Sequence, residues 1–283
     1  MKEKRFKMQF NNDYEIKKFW NEGQRLYTND EAIEKSIERA ARDFTARTET
    51  RVSFSGDSTL SKRLQNTNNN KNLKKILKNY FNNPSTTQDD FNAWHHTTCQ
   101  SILDIVNDMY QNVHYGKAQK ILNMTFKNLY CTAFGQSKEK ENQNTFKFCH
   151  IALDSFTLEW IFREIYPCYK KLECDRLCKT KTPSWSNLDY DAEDKKVYSY
   201  SFIVNIVAKY FKTFHKELND LTPFKAEFII WREIQLEMAA ETFYKQAYSY
   251  LNEDSQKFKM SEFKDLSLQD KLNQIRDLMG NNL

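Results

Sequence analysis

HYGKAQKILNMTFKNLYC, residues 114–131, is the stretch that decides the fold. Placed on a helix, Ala118, Ile121, Leu122, Thr125, Phe126, Leu129 and Ala133 share one face. Lys117, Lys120, Asn123 and Lys127 share the opposite face. The spacing predicts an amphipathic helix with its apolar side inward and its lysines in water. Val113-His114-Tyr115-Gly116 forms a short turn before it, where glycine can take a positive φ. A helix start joined this tightly presents backbone N–H groups, and Lys117 and Lys120 stand one turn apart at that same end. Such a cationic, donor-rich start suits a phosphate or another anion. CHIALDSFTLEWI, residues 149–161, then places Asp154 at the head of a second helical pattern, where it reads as an N-cap. The two stretches raise the question of whether Lys120 and Asp154 meet.

Working outward, the chain reads as helical throughout. Asn29-Asp30 precedes apolar positions at Ala32, Ile33, Ile37, Ala40, Ala41 and Phe44, so helices are expected over 14–48. Residues 53–72 are Ser- and Asn-rich and are expected to be a flexible linker. A short basic helix follows at 73–82, then a long amphipathic run at 85–110. Residues 168–181 suggest a further short helix, and the next is expected to begin near Asp191. The clearest helix is 221–251, with Thr222 to cap it and Pro223 in its first turn. One more candidate lies at 267–279. Only five glycines and four prolines in 283 residues disfavour a many-turned sandwich or barrel. The expected fold is all-α or mostly α: one helical protein of two packed lobes over 1–283.

Composition bounds the partners. A net charge of +5 is mildly basic, but its distribution is uneven. Residues 62–79 carry six Lys and Arg and no acid, and 109–138 carry four lysines and no acid. These stretches are either the footprint of a phosphate-binding surface or solvated helix faces. No apolar run approaches the ~20 residues of a membrane span, and the N-terminus lacks the apolar stretch of a secretory signal. A cytoplasmic location is expected, with Cys99, Cys131, Cys149, Cys168, Cys174 and Cys178 as reduced thiols.

The pair GKAQKILNMTFK and HIALDSFTLEW resembles the core of the helix-hairpin-helix DNA glycosylases, most nearly the archaeal 8-oxoguanine type. The likeness covers residues 110–165, within a helix-hairpin-helix core at about 85–165. It rests on the hairpin glycine Gly116, on Gln119-Lys120 at the start of the lysine helix, and on Asp154 after an insertion. The chain departs from the family at the hairpin, which reads Asn-Val-His-Tyr-Gly for Leu-Pro-Gly-hydrophobic-Gly. It departs again before the aspartate, where Ala152-Leu153 replaces Pro-Val. The resemblance implies hydrolysis of the N-glycosidic bond of a damaged or modified base, in base-excision repair or in defence against modified foreign DNA. Asp154 would be the catalytic carboxylate. Lys120, or Lys117 one turn earlier, would be a nucleophile or pocket cation, with lyase activity if the amine attacks. Tyr115, Gly116 and Lys117 would hold DNA at the hairpin. The partner would be DNA with a flipped base, bound by a monomer without cofactor or metal. Lys127, two turns on, is expected at the surface.

Two other classes stay open: a non-catalytic nucleic-acid binder, and an all-α protein-interaction module. Trp94, Trp160, Trp185 and Trp231 could each supply an aromatic face to a base. Cys168, Cys174 and Cys178 are wrongly spaced for the cluster-bearing branch of the same superfamily, and His95-His96-x-x-Cys99 lacks a second ligand pair. Gly-rich phosphate loops, the Gly-x-Ser-x-Gly elbow and His-Glu-x-x-His are absent from the sequence.

Overall fold

Polar caps start the helices where short side chains precede apolar periods. Thr87 accepts the Asp90 N–H at 3.1 Å and opens a 20-residue helix, with Asp89 and Asp90 complementing its dipole. Asn72 caps the next-upstream helix through the Lys75 N–H at 3.0 Å. The computed structural model of the protein describes residues 29–44, 59–66, 72–132, 145–168, 184–191, 198–214, 221–251, 263–264 and 266–280. Among these the helices are α1 (Asn29–Asp43), α2 (Leu60–Asn66), α3 (Leu73–Asn82), α4 (Gln88–Asn107), α5 (Tyr115–Tyr130), α6 (Ser155–Trp160), α7 (Tyr200–Phe214), α8 (Pro223–Leu251) and α9 (Leu268–Gly280). The described residues are mostly helical and contain no strand. No helix among them is long and apolar enough to cross a membrane.

The sequence boundaries need two corrections. Helix α2 lies inside the stretch expected as a linker, because Leu60 and Leu64 stand one turn apart and are both buried. The polar residues around them mask that pair. The parts of 53–72 outside 59–66 and Asn72 lie beyond the described residues, as do 14–28 and 169–181. Helix α7 starts at Tyr200 rather than near Asp191, and its first N–H groups are taken by the Asp189 and Tyr190 carbonyls at 2.9 and 3.0 Å.

The chain divides into two units, one of residues Phe10–Phe228 and one of Met1–Gln9 with Ile229–Leu283. At the centre of the larger unit is α5. Helices α1 and α4 pack along it, and a single 3₁₀ turn, Trp185–Asn187, crosses its start. An aromatic cluster of Tyr80, Phe91, Trp94, Phe126 and Phe146 fills the space between α3, α4 and α5, with ring centroids 4.3–6.2 Å apart. Full burial of each such ring stabilises the fold by roughly 1.5–3 kcal/mol. Helix α6 runs on into a π turn, Ile161–Ile165, and buries Trp160 against Tyr210 and Phe211 of α7.

In the smaller unit, Tyr244 stacks on Phe263 with centroids 3.9 Å apart. Lys271 of α9 is fully buried, and its Nζ donates to Glu237 at 2.9 Å and Glu241 at 2.8 Å on α8. The long stem packs as a hydrophobe while the two carboxylates satisfy its charge.

Candidate active site

Helix α5 is not the half-wet helix its sequence pattern suggests. Every residue from Tyr115 to Tyr130 except Lys120 is buried. Its polar face is covered by the irregular segment 149–154, whose backbone groups need partners that no regular element supplies. Side chains supply them. Asn123 Nδ2 donates to the Ile151 carbonyl at 3.3 Å. Gln119 Nε2 donates to the Leu153 carbonyl at 2.9 Å, and Gln119 Oε1 accepts the Leu153 N–H at 3.3 Å. Glu227 Oε2 accepts the Ala152 N–H at 3.0 Å, and Glu227 Oε1 takes Lys127 Nζ at 2.7 Å. One face of α5 is therefore polar because it grips a strip of main chain, in steps of about one turn.

That strip ends at Asp154. Its Oδ1 accepts the N–H groups of Phe156 and Thr157 at 3.0 and 2.9 Å, and the Thr157 hydroxyl accepts the Asp154 N–H at 2.8 Å. This capping box fixes the carboxylate rigidly. Its other oxygen, Oδ2, takes Lys120 Nζ at 2.6 Å. The two side chains are 16% and 11% exposed, so the pair is partly buried yet reached by water. Burial pushes the Asp154 carboxyl up. The charge and hydrogen bond of Lys120, the Thr157 N–H and the charge of Lys127 outweigh it and hold the group below its ordinary range. Asp154 is thus an ionised carboxylate with one oxygen locked to main chain and the other on an ammonium.

A second layer supports this segment. His95 Nε2 lies 2.8 Å from Asn123 Oδ1, and Asn123 Nδ2 also reaches the Tyr200 hydroxyl at 3.1 Å. His150 bonds Tyr200 through Nδ1 at 2.9 Å and Asn92 through Nε2 at 2.8 Å. With the Asn123 amide committed as donor, its Oδ1 requires a proton on His95 Nε2, so His95 is the neutral Nε2–H tautomer. Burial drives its pKa down to about 4, offset in part by the Asn123 bond and aided by His96. Burial, with His95 beside it, lowers His150 in the same direction.

The remaining expected residues fall in places the sequence does not suggest. Lys117 is 2% exposed and its Nζ lies over the rings of Phe44 and Trp185, at 5.1 and 4.9 Å from their centroids. Lys120, one turn on, is the lysine that meets Asp154. Tyr115 and Gly116 are buried as well. The Gly116 N–H, expected at a phosphate, donates to the Leu188 carbonyl at 2.8 Å, and the Lys117 N–H to His114 at 3.0 Å. Glycine is required at 116 for closeness, not for positive φ: an added Cβ would stand 1.8 Å from the Trp185 carbonyl oxygen. The left-handed turn residue is Asn112, at φ 56°. Lys127, expected at the surface, is 2% exposed and paired with Glu227, itself 1% exposed.

Other candidates are absorbed elsewhere. In the basic stretch 62–79, Lys74 pairs with Glu34 and Lys78 with Asp30, so part of its charge is neutralised by α1. Trp160 is core and Trp94 belongs to the aromatic cluster. Trp185 packs on Lys117, and Trp231 lies in the smaller unit. Two clefts stand out nearby: one between α6 and α7 lined by apolar side chains, and one lined by Gln88, Asn92, Phe148, His150 and Asn205. Neither is lined by Lys120 or Asp154. Among the described residues no three His, Cys, Asp or Glu side chains are grouped to hold a metal ion. Cys174 and Cys178 lie beyond the described residues. Sequence reasoning places Gln119 beside Lys120 and Asn123 on the polar face without their bonds to 149–154, and it misses Glu227. The available signal was Glu227, a lone acid within the otherwise apolar run 226–231. Comparisons with protein-family models, curated proteins and solved structures find no match to this chain.

Proposed function

We propose that this chain is a DNA N-glycosylase of the helix-hairpin-helix kind, with Asp154 as the essential carboxylate and Lys120 as the amine beside it. One observation carries the reading. Lys120 is the one residue of the central helix that is not buried, and it is bonded at 2.6 Å to the aspartate that the sequence pairs with it. Breaking an N-glycosidic bond builds positive charge at C1′ of the sugar. A preorganised, ionised carboxylate stabilises that charge, and the fixed geometry of Asp154 costs no reorganisation at the moment of reaction. Lys120 is in reach of the same position; attack by its amine would give a Schiff base and open the way to strand cleavage. The hairpin residues do not serve as the phosphate grip on this reading, because their donors are taken.

The test is base release from a panel of duplexes, each with one damaged or modified base, followed by alkali. Base release by wild type and its loss in Asp154→Asn support the reading; borohydride trapping lost in Lys120→Gln assigns the amine. The panel also separates the two roles, since oxidised and alkylated bases belong to repair and enzymatically modified bases to defence. A second reading, a non-catalytic helical module, is favoured by the burial of Tyr115, Gly116 and Lys117. On that reading the Lys120–Asp154 pair is a staple, no base is released, and Asp154→Asn changes stability alone.

A further inference from the structure

A cleft opens between the start of α4 and the middle of α7, over the segment 147–151. The space it encloses is ≈ 390 Å³, the size of a small-molecule site. Ile151, Val207, Ala208 and Pro223 give it apolar walls. Gln88 and Asn92 from α4 and Asn205 from α7 bring side-chain amides to it, and Lys147 brings an ammonium.

The hydrogen bonds settle which way the α4 amides face. Gln88 Nε2 donates to the Phe148 carbonyl at 3.2 Å, and a main-chain acceptor identifies that atom as the nitrogen. It also donates to Asn92 at 2.9 Å, so the atom it meets there is Oδ1. His150 Nε2 lies 2.8 Å from the same oxygen and must carry the proton. His150 Nδ1 then accepts the Tyr200 O–H at 2.9 Å, and the Tyr200 oxygen accepts Asn123 Nδ2 at 3.1 Å. His150 is 7% exposed and Tyr200 1%, so Asn92 is anchored to a rigid, buried chain of bonds. This leaves the two N–H groups of Asn92 Nδ2 and the oxygen Oε1 of Gln88 without a partner among the described residues. The exposed Asn205 amide is likewise unspent. Lys147 is exposed, with its Nζ 5.3 Å from the centroid of the half-buried Phe148 ring, and no described carboxylate pairs with it.

We propose that this cleft is a binding site for a nucleotide unit. The apolar walls suit a flat ring rather than a hydroxylated one. Asn92 Nδ2, Gln88 Oε1 and the Asn205 amide supply the donors and acceptors that read the hydrogen-bonding edge of a base. Lys147 at the rim supplies the charge that a phosphate needs. The buried chain behind Asn92 orients its amide before any ligand arrives, which lowers the cost of binding. Neither Lys120 nor Asp154 lines the cleft, so the proposal goes beyond the glycosylase reading and does not rest on it.

The experiment is an NMR titration of the backbone amides of the full chain with AMP, GMP, CMP and UMP at millimolar concentration, each beside its nucleoside. Wild type, Asn205→Ala and Lys147→Ala are compared; both positions are exposed, so the fold is kept. At least one nucleotide is expected to give saturable shifts centred on 88–92, 147–151 and 204–208. Asn205→Ala should weaken nucleotide and nucleoside alike by about 10-fold. Lys147→Ala should weaken the nucleotide by about 3-fold and leave the nucleoside unchanged. A short single strand of the preferred base separates the two sources of such a unit: affinity no higher than that of the monophosphate assigns a free nucleotide, and higher affinity assigns a strand. No saturable shift with any of the four nucleotides, shifts centred elsewhere, or unchanged affinity in both variants overturns the site. None of these outcomes bears on base release, which judges the glycosylase reading separately.

Discussion

Acidification is expected to loosen the candidate site through His95 before it protonates any ordinary carboxylate. His95 is fully buried and neutral, with its pKa near 4 against 6.5 in an unfolded chain. Below pH 6.5 the unfolded state therefore binds a proton that the folded state refuses, and stability falls with pH until about pH 4, where the folded form also protonates. The full gap is worth about 3 kcal/mol. Integrated between pH 7.5 and 5.0, His95 alone removes about 2 kcal/mol. His150 acts in the same direction. Asp43, whose carboxyl is raised, acts in the opposite direction and only nearer its own range. The assay is urea unfolding at both pH values for wild type and His95→Gln, which keeps a donor toward Asn123 Oδ1. The wild type should lose the larger amount, and the variant about 2 kcal/mol less. Equal stability at both pH values, or an equal loss in both proteins, would refute the reasoning.

Three further substitutions probe the frame around the pair. Lys127→Met leaves Glu227 buried and unpaired, and should cost about 3–5 kcal/mol by urea unfolding; a surface lysine would cost nothing measurable. Gln119→Leu removes both bonds to Leu153 and should cost about 2–4 kcal/mol for two orphaned main-chain groups, with hydrogen exchange of the Leu153 amide faster than in wild type. Unchanged exchange there would count against the clamp. Gly116→Ala puts a methyl into the Trp185 carbonyl and should cost about 1–3 kcal/mol while shifting the Trp185 fluorescence. An alanine variant as stable as wild type would mean that the 185–188 turn does not lie on the helix start.

The helices were legible wherever caps and period agreed. Thr222 accepts the Lys225 N–H at 3.3 Å ahead of α8, and α3 spans the expected 73–82. The pairing of Lys120 with Asp154 could be posed as a question from sequence because both are polar residues at defined helical positions. What the wheel could not show is why a helix face is polar. Lys117, Asn123 and Lys127 look like a solvated stripe, yet Asn123 is there to bond the main chain of 149–154, Lys127 to meet Glu227, and Lys117 to lie between aromatic rings. Those partners lie 28 to 100 residues away in sequence for the Asn123 and Lys127 bonds, beyond any local pattern. The reason for Gly116 was hidden likewise, since the backbone that excludes a side chain there comes from Trp185.

The most direct measurement is base release by wild type and Asp154→Asn across the modified-base panel. Asparagine remains a good N-cap, so α6 should form while the carboxylate charge is lost. Wild type is expected to release at least one modified base and leave an alkali-labile site in the strand, and the variant to lose about 100-fold or more of that activity. Release from no duplex in the panel, or full activity in Asp154→Asn, would contradict it.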